Sequence, residues 1–347
     1  MATLRLLPDG TEVECPEGTS VLQALERAGY PLPSDCRAGT CGTCKVKVAS
    51  GEIEMGMYLP MALSEEERDG GYRLTCVGTP ATAVVEVEYG EARDRASDLP
   101  VELFPPRENV DCVVVDKIRR TPEIVELRLR PVGERLHYWP GQYVEVHAPD
   151  GERRPYSIAN APRRDGELAL HVARTKGGTV SSWVHDALEP GGRVYISGPY
   201  GTFVGDPEVA GPVLCMAGGS GLAPILSLTD AALRRGYEDP VTLLFSARTQ
   251  SDVYAHGLLA HWEAQYPNFR FVTTLTAADG GGKSLHGRIP EVLHEVLDDL
   301  TAHQVFIAGS PEFVDACAVA AHDRGARQDR IHVEHYFPQG RDDSAGG

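Results

Sequence analysis

The stretch Cys36-Arg-Ala-Gly-Thr-Cys41-Gly-Thr-Cys44 places three thiols within nine residues, and Cys76 follows after 31 more. Four residues separate the first pair and two the second. Three thiolates on one tight loop with a distant fourth is the plant-type [2Fe–2S] spacing. The loop filling suits that chemistry. Small residues let the backbone wrap closely and aim N–H groups at sulfur. Structural zinc and plain buried thiols are the competing readings. Zinc sites commonly pair two short Cys/His hooks, and only one hook is present. The remaining thiols, Cys15, Cys112, Cys215 and Cys317, fall in apolar runs and read as small buried hydrophobes.

Outward from this loop, the chain has 347 residues, 42% hydrophobic and 24% charged, a globular composition with room for two or three domains. No run reaches the ~18 apolar residues of a membrane span. The N-terminus has no basic region followed by an apolar one, so no export signal and a cytoplasmic location are expected. With 33 basic and 50 acidic residues the net charge is −17, which disfavours nucleic acid as a partner. Residues 1–92 hold seven basic and fifteen acidic residues, a net −8.

Punctuation divides the chain into blocks. Residues 1–92 show short strands (Thr3–Leu7, Lys45–Ala49, Val84–Tyr89) and a helix that opens on the capping box Ser20–Gln23 and stops at Gly29. Residues 93–108, with Pro100, Pro105 and Pro106, read as a linker. Residues 109–208 are strand-rich with regular turn signals, which predicts a small antiparallel barrel. In 209–340, apolar runs such as Val213–Ala217 and Val241–Ser246 alternate with helical patterns, which predicts a doubly wound α/β domain. The tail 341–347 reads as disordered.

Two further groups of residues carry chemistry. Arg154-Pro155-Tyr156-Ser157 offers a guanidinium, a flat ring and a hydroxyl after a predicted strand. Gly177-Gly178-Thr179-Val-Ser181-Ser182 precedes a helical stretch starting near Ser181 or Ser182, an anion-binding arrangement. Taken singly, each also reads as an ordinary turn. Val213–Ala217 then leads through Gly218-Gly219-Ser220-Gly221-Leu-Ala-Pro224 into a helix, the layout of a nucleotide cradle without the G-x-G-x-x-G spacing. Gly309-Ser310-Pro311 makes a second turn at the same sheet edge.

Together these residues resemble the single-chain iron–sulfur flavoprotein reductases of bacterial oxygenase systems. Those are similar to ferredoxin–NADP reductases with a plant-type ferredoxin fused in front. The likeness covers roughly residues 1–340 and rests on the four cysteines, Arg154–Ser157, Gly198-Pro-Tyr-Gly201, Gly218–Pro224 and Gly309–Pro311. Phe245–Tyr254 and the ending Ile331-His-Val-Glu-His-Tyr-Phe-Pro338 look closest to reductases of ring-hydroxylating dioxygenases. The resemblance implies an N-terminal α+β ferredoxin (β-grasp), a central antiparallel β-barrel for FAD and a C-terminal doubly wound α/β domain for NAD.

It also implies roles. Cys36, Cys41, Cys44 and Cys76 would hold the cluster. Arg154 would pair with the FAD pyrophosphate, Tyr156 would lie against the flavin, and Ser157 would approach its N5. Gly178, Thr179 and Ser181 would hold the pyrophosphate, and Tyr336 would cover the opposite flavin face. Gly218 to Gly221 and Pro224 would seat NADH, with Arg248 and Asp252 at its adenosine end. Asp252 would repel a 2′-phosphate and so favour NADH over NADPH. A solvated carboxylate or a helix cap is the competing reading of Asp252. Ala308 stands where the family commonly has Cys, and Phe313 where Met is common. The implied activity is electron transfer from NADH through FAD and the [2Fe–2S] cluster to a terminal oxygenase or its ferredoxin, in aromatic compound catabolism. The alternative is a reductase feeding a deoxysugar-biosynthesis dehydratase. An acidic face near Cys36–Cys44 is expected to dock a basic patch on the partner.

Overall fold

The computed structural model describes residues 1–30, 32–92, 99–277 and 284–337. Part of the expected linker (93–98), Pro338 and the tail 341–347 lie outside the described residues. The chain forms two compact units: Met1–Pro106 with Tyr200–Thr202, and Arg107–Pro199 with Phe203–Gly347.

The first unit contains β1 (Ala2–Leu7), β2 (Thr11–Cys15), α1 (Val21–Arg27), β3 (Lys45–Ser50), β4 (Ile53–Met55), α2 (Glu65–Asp69), β5 (Tyr72–Leu74), β6 (Gly78–Pro80) and β7 (Val84–Glu88). Five strands form a sheet in the order β2-β1-β7-β3-β5, and β4 pairs with β6. Period-two alternation puts Leu4, Leu6, Val13, Val85 and Val87 on one face, where they bury against Val21, Leu22 and Leu25 of α1. The capping box is present: Ser20 Oγ accepts from Gln23 N at 3.2 Å, and Ser20 N donates back to Gln23 Oε1.

The second unit begins with β8 (Arg107–Arg119), β9 (Ile124–Pro131), β10 (Tyr143–His147), β11 (Arg153–Ser157), β12 (Leu168–Ala173), α3 (Thr179–Asp186) and β13 (Arg193–Tyr200). These strands form a six-stranded sheet in the order β11-β10-β13-β8-β9-β12. It curls until its edges meet, where Ile158 bridges Leu170 and Ala159 N donates to Ala169 O at 2.7 Å. Leu127, Leu129, Val144, Val146 and Leu170 fill the interior with Val180 and Val184 of α3.

The tetrapeptide Arg154–Ser157 lies within β11. Pro155 pairs with Glu145 there, and a sheet edge tolerates its missing N–H. The structure starts α3 at Thr179, earlier than the sequence suggested, because Gly178 takes the extended N-cap conformation.

Next come β14 (Val213–Gly218), α4 (Leu222–Arg234), β15 (Val241–Ala247), α5 (His256–Gln265), β16 (Phe269–Leu275), β17 (Leu285–His286), α6 (Ile289–Val296), β18 (Gln304–Gly309), α7 (Pro311–Asp323) and β19 (Ile331–His335). Their sheet has the order β17-β16-β15-β14-β18-β19, with every pairing parallel. All seven residues of β15 are buried, as expected for a strand covered on both faces. The order reverses between β14 and β18, and ligands of open α/β sheets bind at the carboxyl ends of such a pair. Cys15, Cys112, Cys215 and Cys317 are all buried. Among the described residues, no helix is long and apolar enough to cross a membrane.

Candidate functional site

The cysteine loop is shaped by backbone that few side chains permit. Gly39 and Gly42 lie at φ +72° and +78°, and a Cβ on either would stand 2.7 Å from a carbonyl oxygen, of Met57 and Ala62 respectively. Arg37 also has positive φ. It is held by a two-pronged ion pair to Glu26 of α1, at 2.6 and 2.9 Å, with both side chains largely buried. The amides of Thr40 and Cys41 point at Cys36 Sγ from 3.2 and 3.3 Å, and Thr43 Oγ1 lies 3.2 Å from Cys41 Sγ.

The thiols interact with one another. Cys41, then Cys76, holds the Cys36 thiol far below its usual range, and Cys76 lowers Cys44. Conversely, Cys36 pushes Cys41 far up, and Cys36 and Cys44 do the same to Cys76. Such a crowded donor set, with N–H groups aimed at sulfur, fits a [2Fe–2S] cluster whose irons offset the thiolate charge. Among the described residues, no group of three His, Cys, Asp or Glu side chains forms a site for a single metal ion.

In the second unit, Tyr156 is half-buried against the barrel core. Burial pushes its phenol well up. Arg154 ion-pairs with Glu152 at 3.1 Å at the rim. The N-terminus of α3 has no side-chain cap, which leaves its amides for an anion. The Ser181 hydroxyl turns inward, accepting from Thr175 N at 3.1 Å and donating to Gly178 O at 3.3 Å. Only its backbone N–H remains for a ligand. The barrel thus offers a ring, a guanidinium and free amides, a set that fits a flavin with a diphosphate.

At the end of β14, Gly219–Gly221 makes a 3-10 turn into α4, with Pro224 buried in the first helical turn. Gly221 presses against β18, and a Cβ there would stand 2.2 Å from Ala308 O. Phe313 lies over Gly218 and Gly309, where added Cβ atoms would come within 3.2 and 2.7 Å of its ring. The larger ring at this position therefore needs both glycines. Ser310 caps α7 by accepting from Phe313 N, and Pro311 occupies its first turn. Ala308 is fully buried.

The Gly219 carbonyl accepts from Tyr254 Oη at 3.2 Å, and Tyr254 Oη also meets His171 Nδ1 at 3.2 Å. His171 Nε2 lies 3.8 Å from Glu126, which is held by Arg120 and Arg128. Despite the desolvation that opposes it, hydrogen bonding from His171, Arg128 and Arg120 keeps the Glu126 carboxyl far below its usual range. A polar chain, buried at Tyr254, His171 and Glu126, thus runs from the glycine turn into the barrel.

Asp252 occupies the cap position that the sequence left open. Its Oδ2 accepts from Thr249 N and Oγ1 at 3.1 and 2.9 Å, and lies 3.8 Å from Arg248 Nε. The Arg248 side chain is 79% exposed.

The barrel and the parallel sheet meet at Ser157. Tyr336 Oη donates to Ser157 Oγ at 2.8 Å, and Ser157 Oγ donates to Glu334 Oε1 at 3.0 Å. Tyr336 N donates to Gly309 O at 2.7 Å, which anchors the C-terminal strand to the second turn. Burial, and then the Glu334 charge, pushes the Tyr336 phenol well above its ordinary value. Glu334 was not singled out from sequence. Its only signal is its place in Ile331–Pro338.

These features define a protein with an iron–sulfur module, a flavin barrel and a nucleotide domain. The chain matches the 2Fe-2S iron-sulfur cluster binding domain over residues 4–81, the oxidoreductase FAD-binding domain over 111–204 and the oxidoreductase NAD-binding domain over 215–318. It belongs to the family of iron–sulfur flavoprotein reductase components of oxygenase systems. It is 32% identical to terephthalate 1,2-dioxygenase reductase component 1 of Comamonas sp., over 92% of this chain and 93% of that one. It is also 32% identical to the phenol 2-monooxygenase reductase component DmpP of Pseudomonas sp. (strain CF600), over 95% and 93%. Among solved structures it is similar to the Amycolatopsis cytochrome P450 reductase GcoB, with a TM-score of 0.87, 32% identity and coverage of 97% and 99%. These relatives favour the oxygenase reading over the deoxysugar alternative.

Proposed function

We propose that this reductase takes electrons from NADH at the Ser157–Glu334–Tyr336 junction and delivers them through the cysteine loop to a terminal oxygenase or its ferredoxin. The observation that carries this reading is the junction itself, where a barrel hydroxyl, a carboxylate and a phenol converge beside the turn ending β18. When bound, FAD takes a hydride from the nicotinamide and releases electrons singly, the form in which a [2Fe–2S] cluster accepts them.

The chain's own residues bind and orient. Tyr156 and Tyr336 would bracket the flavin ring, and Arg154 with the amides of Gly178, Thr179 and Ser181 would meet its diphosphate. Gly218–Gly221, Pro224 and Gly309–Pro311 seat the dinucleotide. Ser157 Oγ, between the Tyr336 hydroxyl and the Glu334 carboxylate, would hold a proton beside the flavin N5. Cys36, Cys41, Cys44 and Cys76 hold the cluster. We assign NADH rather than NADPH because Asp252 offsets the charge of Arg248, the cation nearest it. The cytoplasm is the proposed location.

The test is to purify the protein, reduce it with NADH, and record optical and electron paramagnetic resonance spectra. Bleaching of a flavin band and a reduced [2Fe–2S] signal are expected. Absence of either refutes the reading. Glu334→Gln should retain FAD and lower the rate of NADH-driven flavin reduction.

A further inference from the structure

The segment after β4 covers the cluster loop. Leu59 N donates to Gly39 O at 2.9 Å, and the Met57 and Ala62 carbonyls press on Gly39 and Gly42. Its inward side chains, Tyr58, Ala62 and Leu63, pack in one apolar cluster with the ligand residues Cys44 and Cys76. Its outward side chains are Met57 (94% exposed), Met61 (68%) and Leu59 (39%). Single exposed apolar residues are ordinary, but three in five positions form a patch, and such patches mark interaction sites.

The surrounding charge is mostly acidic, with the exposed Arg68 leaning on Tyr58. Met55 to Ser64 carries no charge, and this stretch lies between Glu54 and Glu65. Beyond it, Glu65, Glu66 and Asp69 of α2 are exposed, while Lys45 is paired with Glu67 at 2.5 Å and Arg68 sits 3.8 Å from Asp69.

We propose that Met57, Leu59 and Met61 form the apolar centre of the electron-exit surface, with Glu54, Glu65, Glu66 and Asp69 as its rim. The occupant is an acceptor protein whose own apolar patch is ringed by Lys and Arg. This rests on the electron-supply reading above. Charge complementarity selects that occupant, because the rim repels acidic surfaces and steers basic ones. Contact between electron-transfer partners is small and transient, so three apolar side chains suffice for its centre. Methionine suits such a surface because its flexible thioether adapts to a partner. Pro60 stiffens the backbone between the side chains and lowers the ordering cost of docking. The site differs from a general acidic attraction in needing specific uncharged side chains directly over the cluster loop.

The test uses the full holoprotein and cytochrome c, a basic one-electron acceptor protein, as the probe. In Met57→Gln/Met61→Gln, kcat/KM for NADH-driven cytochrome c reduction should fall about tenfold, the equivalent of ~1.4 kcal/mol of lost contact. NADH-driven ferricyanide reduction, and reduction of the cluster by NADH without any acceptor, should not change. Glu65→Gln/Glu66→Gln should instead flatten the dependence of the cytochrome c rate on salt between about 20 and about 300 mM. An unchanged cytochrome c rate in the methionine variant overturns the docking surface. Slower cluster reduction without acceptor assigns the patch to internal transfer and also overturns it. A dimer in the wild type that becomes a monomer in the variant assigns the patch to a second copy of the chain, with the same consequence. A wild-type cluster that NADH cannot reduce sinks the electron-supply reading itself, and the docking surface with it.

Discussion

Tyr254→Phe removes one hydroxyl and keeps the ring. The ring's edge-on packing against His171 (centroids 5.2 Å, 78°) and Phe245 (5.5 Å, 86°) should therefore survive. Two partners, the buried His171 Nδ1 and the carbonyl of the exposed Gly219, lose their hydrogen bond to the phenol. An abandoned buried polar group costs about 1–3 kcal/mol; that applies to His171, while the Gly219 carbonyl can meet water, and both bonds are long at 3.2 Å, so the total should be about 1–2 kcal/mol. In a unit of this size that lowers Tm by about 2–8 °C. Gly219 has φ +56° and starts the nucleotide turn, so part of the loss should appear in binding. KM for NADH should rise about fivefold, with kcat for ferricyanide reduction nearly unchanged. Flavin-fluorescence melts and steady-state kinetics measure both. If Tm and KM both stay at wild-type values, the buried chain does not brace the turn. A fall in kcat at constant KM would place Tyr254 in the chemistry instead.

Three further outcomes are expected. Gly221→Ala forces a methyl to 2.2 Å from the Ala308 carbonyl, so backbone must move; flavin reduction by NADH should be nearly abolished while FAD is retained, and wild-type kinetics would contradict the assignment of this turn. Asp252→Asn keeps an acceptor oxygen for the Thr249 cap but removes the charge beside Arg248; the ratio of kcat/KM for NADPH to that for NADH should rise about fivefold, and a constant ratio would refute Asp252 as the selector. Burial, followed by Arg153, lowers His147 to about 4. A depressed folded-state value favours the neutral ring, so its stabilisation is complete above the unfolded value near 6.5 and is lost as pH falls towards about 4. Melts from pH 7 to pH 4 should show falling Tm, with a smaller fall in His147→Gln.

Local chemistry was legible in the sequence. Cysteine spacing and the Ser20–Gln23 box act over a few residues, and the apolar run of β15 reports burial on both faces. What escaped the sequence depends on distant partners. Ser157 and Glu334 are 177 residues apart, so no local pattern reveals that they touch. The inward turn of Ser181 is invisible for a related reason, since a serine before a helix can serve the backbone or a ligand equally well. Asp252 has the same ambiguity, and its cap to Thr249 is a matter of rotamer. β19 eluded the periodicity because its burial does not alternate: Ile331, His332, Glu334 and His335 are all only half-buried.

The anchoring of Tyr336 to Gly309 and its bond to Ser157 have a consequence for anyone exchanging modules between such reductases. The last strand belongs to the nucleotide domain by its pairing with β18, yet the chain at its end hydrogen-bonds the barrel's Ser157. A graft that takes the barrel from one parent and the parallel sheet from another would inherit a mismatched serine, carboxylate and phenol. A cut near Pro106 leaves all three together. The boundary for recombination is therefore set by three hydrogen-bonding side chains and not by where one sheet ends and the next begins.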